Sequence, residues 1–212
     1  MEYLSEWVLL VVVFGFAVIA PGPDFVMAVR NSIVFSRKAG LYTAAGFALG
    51  VCVHVVYSII GLSVVIAQSA FLFSVIKYIG AGYLLYVGVK SLRSKGHSLL
   101  SDDVDMPKPH AAKNMTPFQA LRCGFITNVF NPKAIMFFLA LFTQILSPDL
   151  PLSVQMVFGM TCAVMVWAWF SFVALVLTHQ RVRSVFLGVS KWIDRVCGGL
   201  MIGLGVKLAL TK

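Results

Sequence analysis

Residues 7–29 read WVLLVVVFGFAVIAPGPDFVMAV. A bilayer-crossing helix needs about 20 predominantly apolar residues, and this run supplies them, yet it carries two prolines and an aspartate deep inside. Pro21 and Pro23 remove two backbone donors and Gly22 between them loosens the turn, so the helix must break at this point. Taking 1.5 Å per residue from Trp7, the break lies about 20 Å into a hydrocarbon core of about 30 Å. Backbone groups freed at that depth have to face protein or a wet cavity. Asp24 opens the resumed helix, where an anionic side chain can cap free N–H groups. It is read as one wall of a central site, with a simple cap near the cytoplasmic surface as the alternative.

The rest of the chain agrees with lipid as the solvent. Of 212 residues, 59% are hydrophobic and 12% charged, and the mean hydropathy is +0.91, far more apolar than a soluble domain. The net charge of +9 is not gathered into a basic block or a zinc-type module, which argues against nucleic acid as a partner. Cys52, Cys123, Cys162 and Cys197 are scattered without a C-x-x-C, so neither a disulfide framework nor a metal site is expected, and they read as small hydrophobes. Glu2 and Glu6 with no Lys or Arg ahead of the first apolar run, and Pro21 after Ala20, argue for a retained helix rather than a signal peptide.

Apolar runs predict six spans, at roughly Trp7 to Val29, Ala44 to Ile66, Phe71 to Val89, Ala120 to Leu146, Leu152 to Thr178 and Phe186 to Leu210. The long polar stretch Ser91 to Gln119, with Asp102, Asp103, Asp105, Pro107, Pro109 and Pro117, reads as the one sizeable loop. Of seventeen Lys and Arg, thirteen fall on one side of this arrangement; only Lys77, Lys207 and Lys212 fall on the other, and Lys133 lies within a span. The positive-inside rule then places the loop in the cytoplasm and both termini outside.

The chain also resembles itself at a shift of 109 to 117 residues. Gly88-Val89-Lys90 recurs as Gly205-Val206-Lys207, Gly46 to Gly50 aligns with Gly159 to Ala163, which sets His54 opposite Trp167, and Pro21-Gly22-Pro23 matches Asn131-Pro132. Three spans per copy turn the second copy over. The expected fold is therefore an all-α integral membrane protein of six helices in two inverted three-helix repeats, 1–95 and 120–212, joined by the loop 96–119, with helices 1 and 4 broken by proline. Gly46-x-x-x-Gly50 and Gly199-x-x-x-Gly203 are expected to be helix contact faces.

The second break is Asn128-Val129-Phe130-Asn131-Pro132-Lys133. An ammonium at Lys133, about 20 Å from the cytoplasmic entry, should face a cavity, pair with a carboxylate or lose its proton; snorkelling to an interface is the alternative. Asp24 and Lys133 hold matching positions in the repeats, which brings them to opposite sides of one site, without a direct salt bridge being required. Asp24 suits an ammonium, while Lys133 and the N-terminal ends of the broken helices suit a carboxylate. The candidate substrate-binding residues are Pro21, Gly22, Pro23, Asp24, Asn128, Asn131, Pro132 and Lys133. His54 is read as a structural histidine, with a proton relay as the alternative, and Tyr78, Tyr83, Tyr86, Trp167 and Trp169 as packing or interface aromatics.

Pro-Gly-Pro-Asp in span one, the Gly-rich second span, Gly80-x-Gly82-Tyr83-Leu84-x-Tyr86-x-Gly88 and Gly124-Phe125-x-x-Asn128-x-x-Asn131-Pro132-Lys133 together resemble the LysE/RhtB amino-acid exporters over nearly the whole chain. The resemblance implies a bacterial cytoplasmic-membrane protein, not an enzyme, that exports threonine, homoserine or related neutral amino acids and draws on the proton gradient. Its partners would be the amino acid, protons and the bilayer, with a homodimer compatible, and it would need no cofactor or metal. Two other readings are a thiol-electron conduit, for which no half supplies a cysteine pair, and a non-transporting scaffold, which would tolerate changes at Asp24 and Lys133.

Overall fold

The computed structural model describes residues 3–20, 22–93, 115–144, 150–176 and 180–210. Pro21, Ser147 to Asp149 and most of the 96–119 loop lie outside these residues. Among the described residues all regular structure is α-helical. Two short helices, α1 (Leu4–Ile19) and α2 (Pro23–Val34), are followed by the long α3 (Arg37–Gln68) and α4 (Ala70–Leu92). A second short pair, α5 (Pro117–Val129) and α6 (Pro132–Gln144), precedes the long α7 (Leu152–Val176) and α8 (Gln180–Leu210).

Proline opens both resumed helices. Pro23 is the first residue of α2 and Pro132 the first of α6, a position that tolerates proline because its missing N–H would have no intrahelical partner. The chain bends by 58° between α1 and α2 and by 57° between α5 and α6. Residues Arg37–Gly61 and Leu152–Val176 are each long and apolar enough to cross a membrane, and each bent pair also qualifies if taken as one span, giving two to four candidate spans among the described residues. The helices expected as spans three and six, α4 and α8, carry Lys77 and Lys90, and Lys191, Asp194, Arg195 and Lys207, among their apolar residues.

The helices meet through glycine. A Cβ on Gly46 would strike the Leu121 carbonyl and lie 2.7 Å from Phe125 N, and one on Gly50 would lie 2.5 Å from Asn128 Oδ1. The pairing advances from Gly46 at Leu121 to Gly50 at Asn128, so α3 and α5 run the same way. Val55 packs at Gly159 and Phe47 against Phe170 at 4.8 Å, so α3 and α7 run oppositely. Between α4 and α8, a Cβ on Gly88 would sit 2.8 Å from Gly198 O, and one on Gly205 would sit 3.0 Å from Ala81 O. These two approaches exchange under a shift of 117 residues, since Gly88 maps to Gly205 and Ala81 to Gly198.

The expected contact at Gly199-x-x-x-Gly203 is not there: nothing stands within 4 Å of a Cβ at either glycine, and both lie on an exposed face. Gly198 and Gly205, one and two residues along, turn towards α4 instead. Inside the bundle, Phe14, Phe47, Phe137, Phe138 and Phe170 join Leu10, Leu84 and Leu141 in one core. Outside, Val56, Ile60, Met156, Met160, Trp167 and Phe172 are at least half exposed, the apolar outer face that lipid would cover.

Overpacking a close helix contact costs about 1 to 3 kcal/mol. Gly46→Ala should therefore lower the melting temperature of the detergent-purified protein by several degrees, whereas Gly199→Ala should leave it unchanged or slightly raised. Equal melting temperatures for the two variants would contradict the described α3–α5 contact.

Candidate functional site

A helix interrupted by proline leaves carbonyls without donors. At the second break, Pro132 cannot donate to Asn128 O, four residues earlier. That oxygen instead accepts from Asn131 N at 3.0 Å and from His54 Nε2 at 3.1 Å. Asn131 Oδ1 in turn accepts from Lys133 N at 3.0 Å, capping α6. At the first break, α1 ends at Ala20 in extended backbone, and Ala20 O accepts from Lys133 Nζ at 2.8 Å.

Lys133 therefore does not serve its own helix. A cation near the N-terminus of α6 opposes that helix's dipole, whereas at the C-terminal end of α1 it is favourably placed. Asp24 makes the converse crossing. Its Oδ2 accepts from Asn128 Nδ2 at 2.7 Å, and no side-chain cap of α2 is formed. Each charge, second in its resumed helix, thus reaches the last turn of the other interrupted pair.

Asp24 is 8% exposed and Asn128 2%, yet among the described residues Asp24 Oδ1 and Asn128 Oδ1 find no hydrogen-bond donor. Asn131 stands beside the same carboxylate. The two charges are turned to different partners, so the site holds an acid and a base that have not neutralised one another by direct contact. A cavity lies between α1, α2, α3, α5, α6 and α7, and its walls include Gly22, Asp24, Asn128, Asn131 and Lys133. Five of the eight residues singled out from the sequence thus come together. Pro23 and Pro132 are exposed and do not line the cavity; their contribution is the broken backbone. Pro21 lies outside the described residues.

Three participants lie outside those eight residues. His54, fully buried, stacks on Phe138 at 5.3 Å and meets Tyr57 OH through Nδ1 at 3.1 Å. Because Asn128 O can only accept, Nε2 carries a proton, and neutral His54 then accepts from Tyr57 at Nδ1. Tyr57 OH also lies 3.3 Å from Ile135 O, so one phenolic proton has two acceptors within reach. Asp194, buried on α8, adds a second carboxylate near Lys133; its signal was that only it and Asp24, among eight acidic residues, fall inside the apolar spans. The third is the main-chain oxygen of Ala20, which no side-chain pattern announces.

Residues 15–212 match the family described as LysE type translocator. The chain belongs to that family. Among relatives of this translocator, the uncharacterized membrane protein YrhP of Bacillus subtilis is 30% identical over 92% of this chain and 93% of its own. The threonine efflux protein of Escherichia coli K12 is 29% identical over the same shares. The leucine efflux protein of Salmonella choleraesuis is 28% identical over 99% of this chain and 96% of its own. No solved structure matches the chain.

The backbone role of His54 is separable from proton transfer. His54→Leu leaves Asn128 O with Asn131 alone, and should destabilise the translocator by about 1 kcal/mol, the low end for a lost buried hydrogen bond. His54→Gln retains a donor near the Nε2 position and should keep most of that stability and most of the transport. Thermal unfolding in detergent and transport in vesicles check both, and a glutamine variant as impaired as the leucine one would contradict a donor role.

Proposed function

We propose that this translocator exports amino acids from the bacterial cytoplasm, holding each as a zwitterion between its two helix breaks. The carrying observation is one cavity lined by both Asp24, with a buried oxygen that has no partner among the described residues, and Lys133, whose ammonium is held by the Ala20 main-chain carbonyl. The substrate ammonium donates to Asp24 Oδ1, and the substrate carboxylate takes Lys133, with the Asn131 amide at hand. Such charge-assisted bonds are short and strong where water is excluded. Support from kinship comes from the family and from relatives named for threonine and for leucine efflux.

Transport requires the site to open to each side in turn, which inverted repeats provide. The matched proline starts at Pro23 and Pro132, the reciprocal crossings of Asp24 and Lys133, and the Gly88–Gly198 and Gly205–Ala81 approaches favour halves at 1–95 and 120–212 related by a two-fold axis in the membrane plane. The directions of α3 with α5, α3 with α7 and α4 with α8 are compatible with six alternating spans, with α1–α2 and α5–α6 each serving as one. The thirteen-to-three division of basic residues sets both termini outside the inner membrane. Export is driven by protons, for which Asp24 is the candidate acceptor within the bundle, and the chain works alone or as a homodimer.

Removing either charge leaves the other uncompensated in a low-dielectric site. Asp24→Asn and Lys133→Met should each reduce efflux of labelled amino acids from dipeptide-loaded cells about tenfold or more, a loss of one charge-assisted bond. Membrane abundance should stay within about twofold of the parent, since proteolytic clearance follows stability rather than transport. Normal export by both variants at normal abundance would eliminate the proposed site.

A further inference from the structure

We infer that the cavity selects amino acids with bulky apolar side chains, leucine, methionine and phenylalanine in kind, over hydroxylated ones such as threonine and homoserine. This rests on the zwitterion reading above and adds which substrates the same site takes.

The polar side chains that line the cavity are Asp24, Asn128, Asn131 and Lys133, all at the helix breaks. Some of their capacity is already committed: Asp24 Oδ2 to Asn128 Nδ2, and Asn131 Oδ1 to Lys133 N. What remains, chiefly Asp24 Oδ1, Asn128 Oδ1 and the Lys133 ammonium, is of the kind an α-ammonium and an α-carboxylate consume. Among the described residues every other side chain on the cavity wall is apolar.

That wall is deep and well fixed. Phe14 from α1, Phe137 and Phe138 from α6, Val51 from α3, and Val166 and Phe170 from α7 are each no more than 4% exposed. The Phe14 ring stands 5.7 Å from Phe137 and 5.5 Å from Phe138, with Phe137 and Phe138 6.3 Å apart and edge-on. Such tilted and edge contacts are preferred aromatic geometries, so the wall is held independently of any ligand. The cavity measures about 50 Å³ in this state, so a substrate anchored at the breaks reaches these groups with its side chain as the helices part around it. Leucine, methionine and phenylalanine gain apolar burial there, whereas a threonine or homoserine hydroxyl loses its water and finds no partner.

A difference of a methylene or two, or of one hydroxyl, in an apolar pocket gives discrimination of about ten to two hundredfold. The test is transport by the purified full-length chain in proteoliposomes, each labelled amino acid being measured in turn. Leucine, methionine and phenylalanine should half-saturate at concentrations at least about tenfold below threonine and homoserine. Threonine or homoserine transported as well as leucine would overturn the selectivity and leave the exporter reading standing; transport of no amino acid would overturn both. Two near-isosteric variants locate the selectivity. Val166→Thr and Val51→Thr each place a hydroxyl on the wall, and should narrow the leucine-to-threonine ratio by about threefold or more, the effect of one new hydrogen bond to a neutral group. An unchanged ratio in both, with leucine transport retained, would overturn the assignment of this wall to the side chain.

Discussion

A backbone carbonyl that has lost its donor inside a bilayer cannot turn to water, and the two proline breaks create that problem twice in one small bundle. The chain answers each break from the other half. Lys133 Nζ closes Ala20 O, and Asn128, in the last turn before the second break, gives its amide to Asp24 while His54 closes its main-chain oxygen. Neither bent pair is complete alone, because each depends on a side chain carried elsewhere. The close glycine contacts of α3 with α5 follow from the same need, since His54 reaches Asn128 only if the two helices nearly touch.

This cross-satisfaction gives the site its character. Apolar packing alone would lock the breaks together, whereas polar bonds can exchange partners at small net cost. In the proposed site the Lys133 ammonium would leave a neutral carbonyl for a carboxylate at a gain, because the second is the stronger acceptor. When it does so, the Ala20 end of α1 loses its capping cation. On that proposal, substrate binding and the geometry of the first break would be the same event, and a bistable break would be the element on which differential affinity for two states acts. His54 breaks the pseudo-symmetry of this scheme. Its match in the second half is Trp167, which is 50% exposed while His54 is fully buried, so the second break has a fixed donor that the first lacks.

Much of this was legible in the sequence because proline and ionisable residues in apolar runs have few interpretations. The quartet Pro21-Gly22-Pro23-Asp24 announced a break with an acid beside it, and Asn131-Pro132-Lys133 a second break with a base. The structure describes all of these but Pro21, and brings Asp24, Asn128, Asn131 and Lys133 to one cavity. What could not be read was direction. The four-residue spacing marks Gly199 and Gly203 as a contact face, but a one-residue rotation puts Gly198 against α4 instead. Nor does any residue type predict that Lys133 will choose a main-chain oxygen over Asp24, which depends on how two bends near 60° orient four short helices. Asp194 stands inside an apolar run, but nothing in that run names Lys133 as its neighbour, since α8 and α6 are far apart in sequence and share no motif.

Simultaneous capture of both ends of an amino acid is the feature on which the remainder stands, and it can be measured without transport. Purified protein in detergent would be titrated with leucine, with 3-methylbutylamine, which keeps the ammonium and side chain, and with 4-methylpentanoate, which keeps the carboxylate and side chain. If Asp24 and Lys133 hold opposite ends of one ligand, leucine should bind at least about tenfold more tightly than either analogue, each lacking one charge-assisted bond. Binding of the amine or the carboxylate as tight as that of leucine would contradict a site that joins the two helix breaks through its substrate.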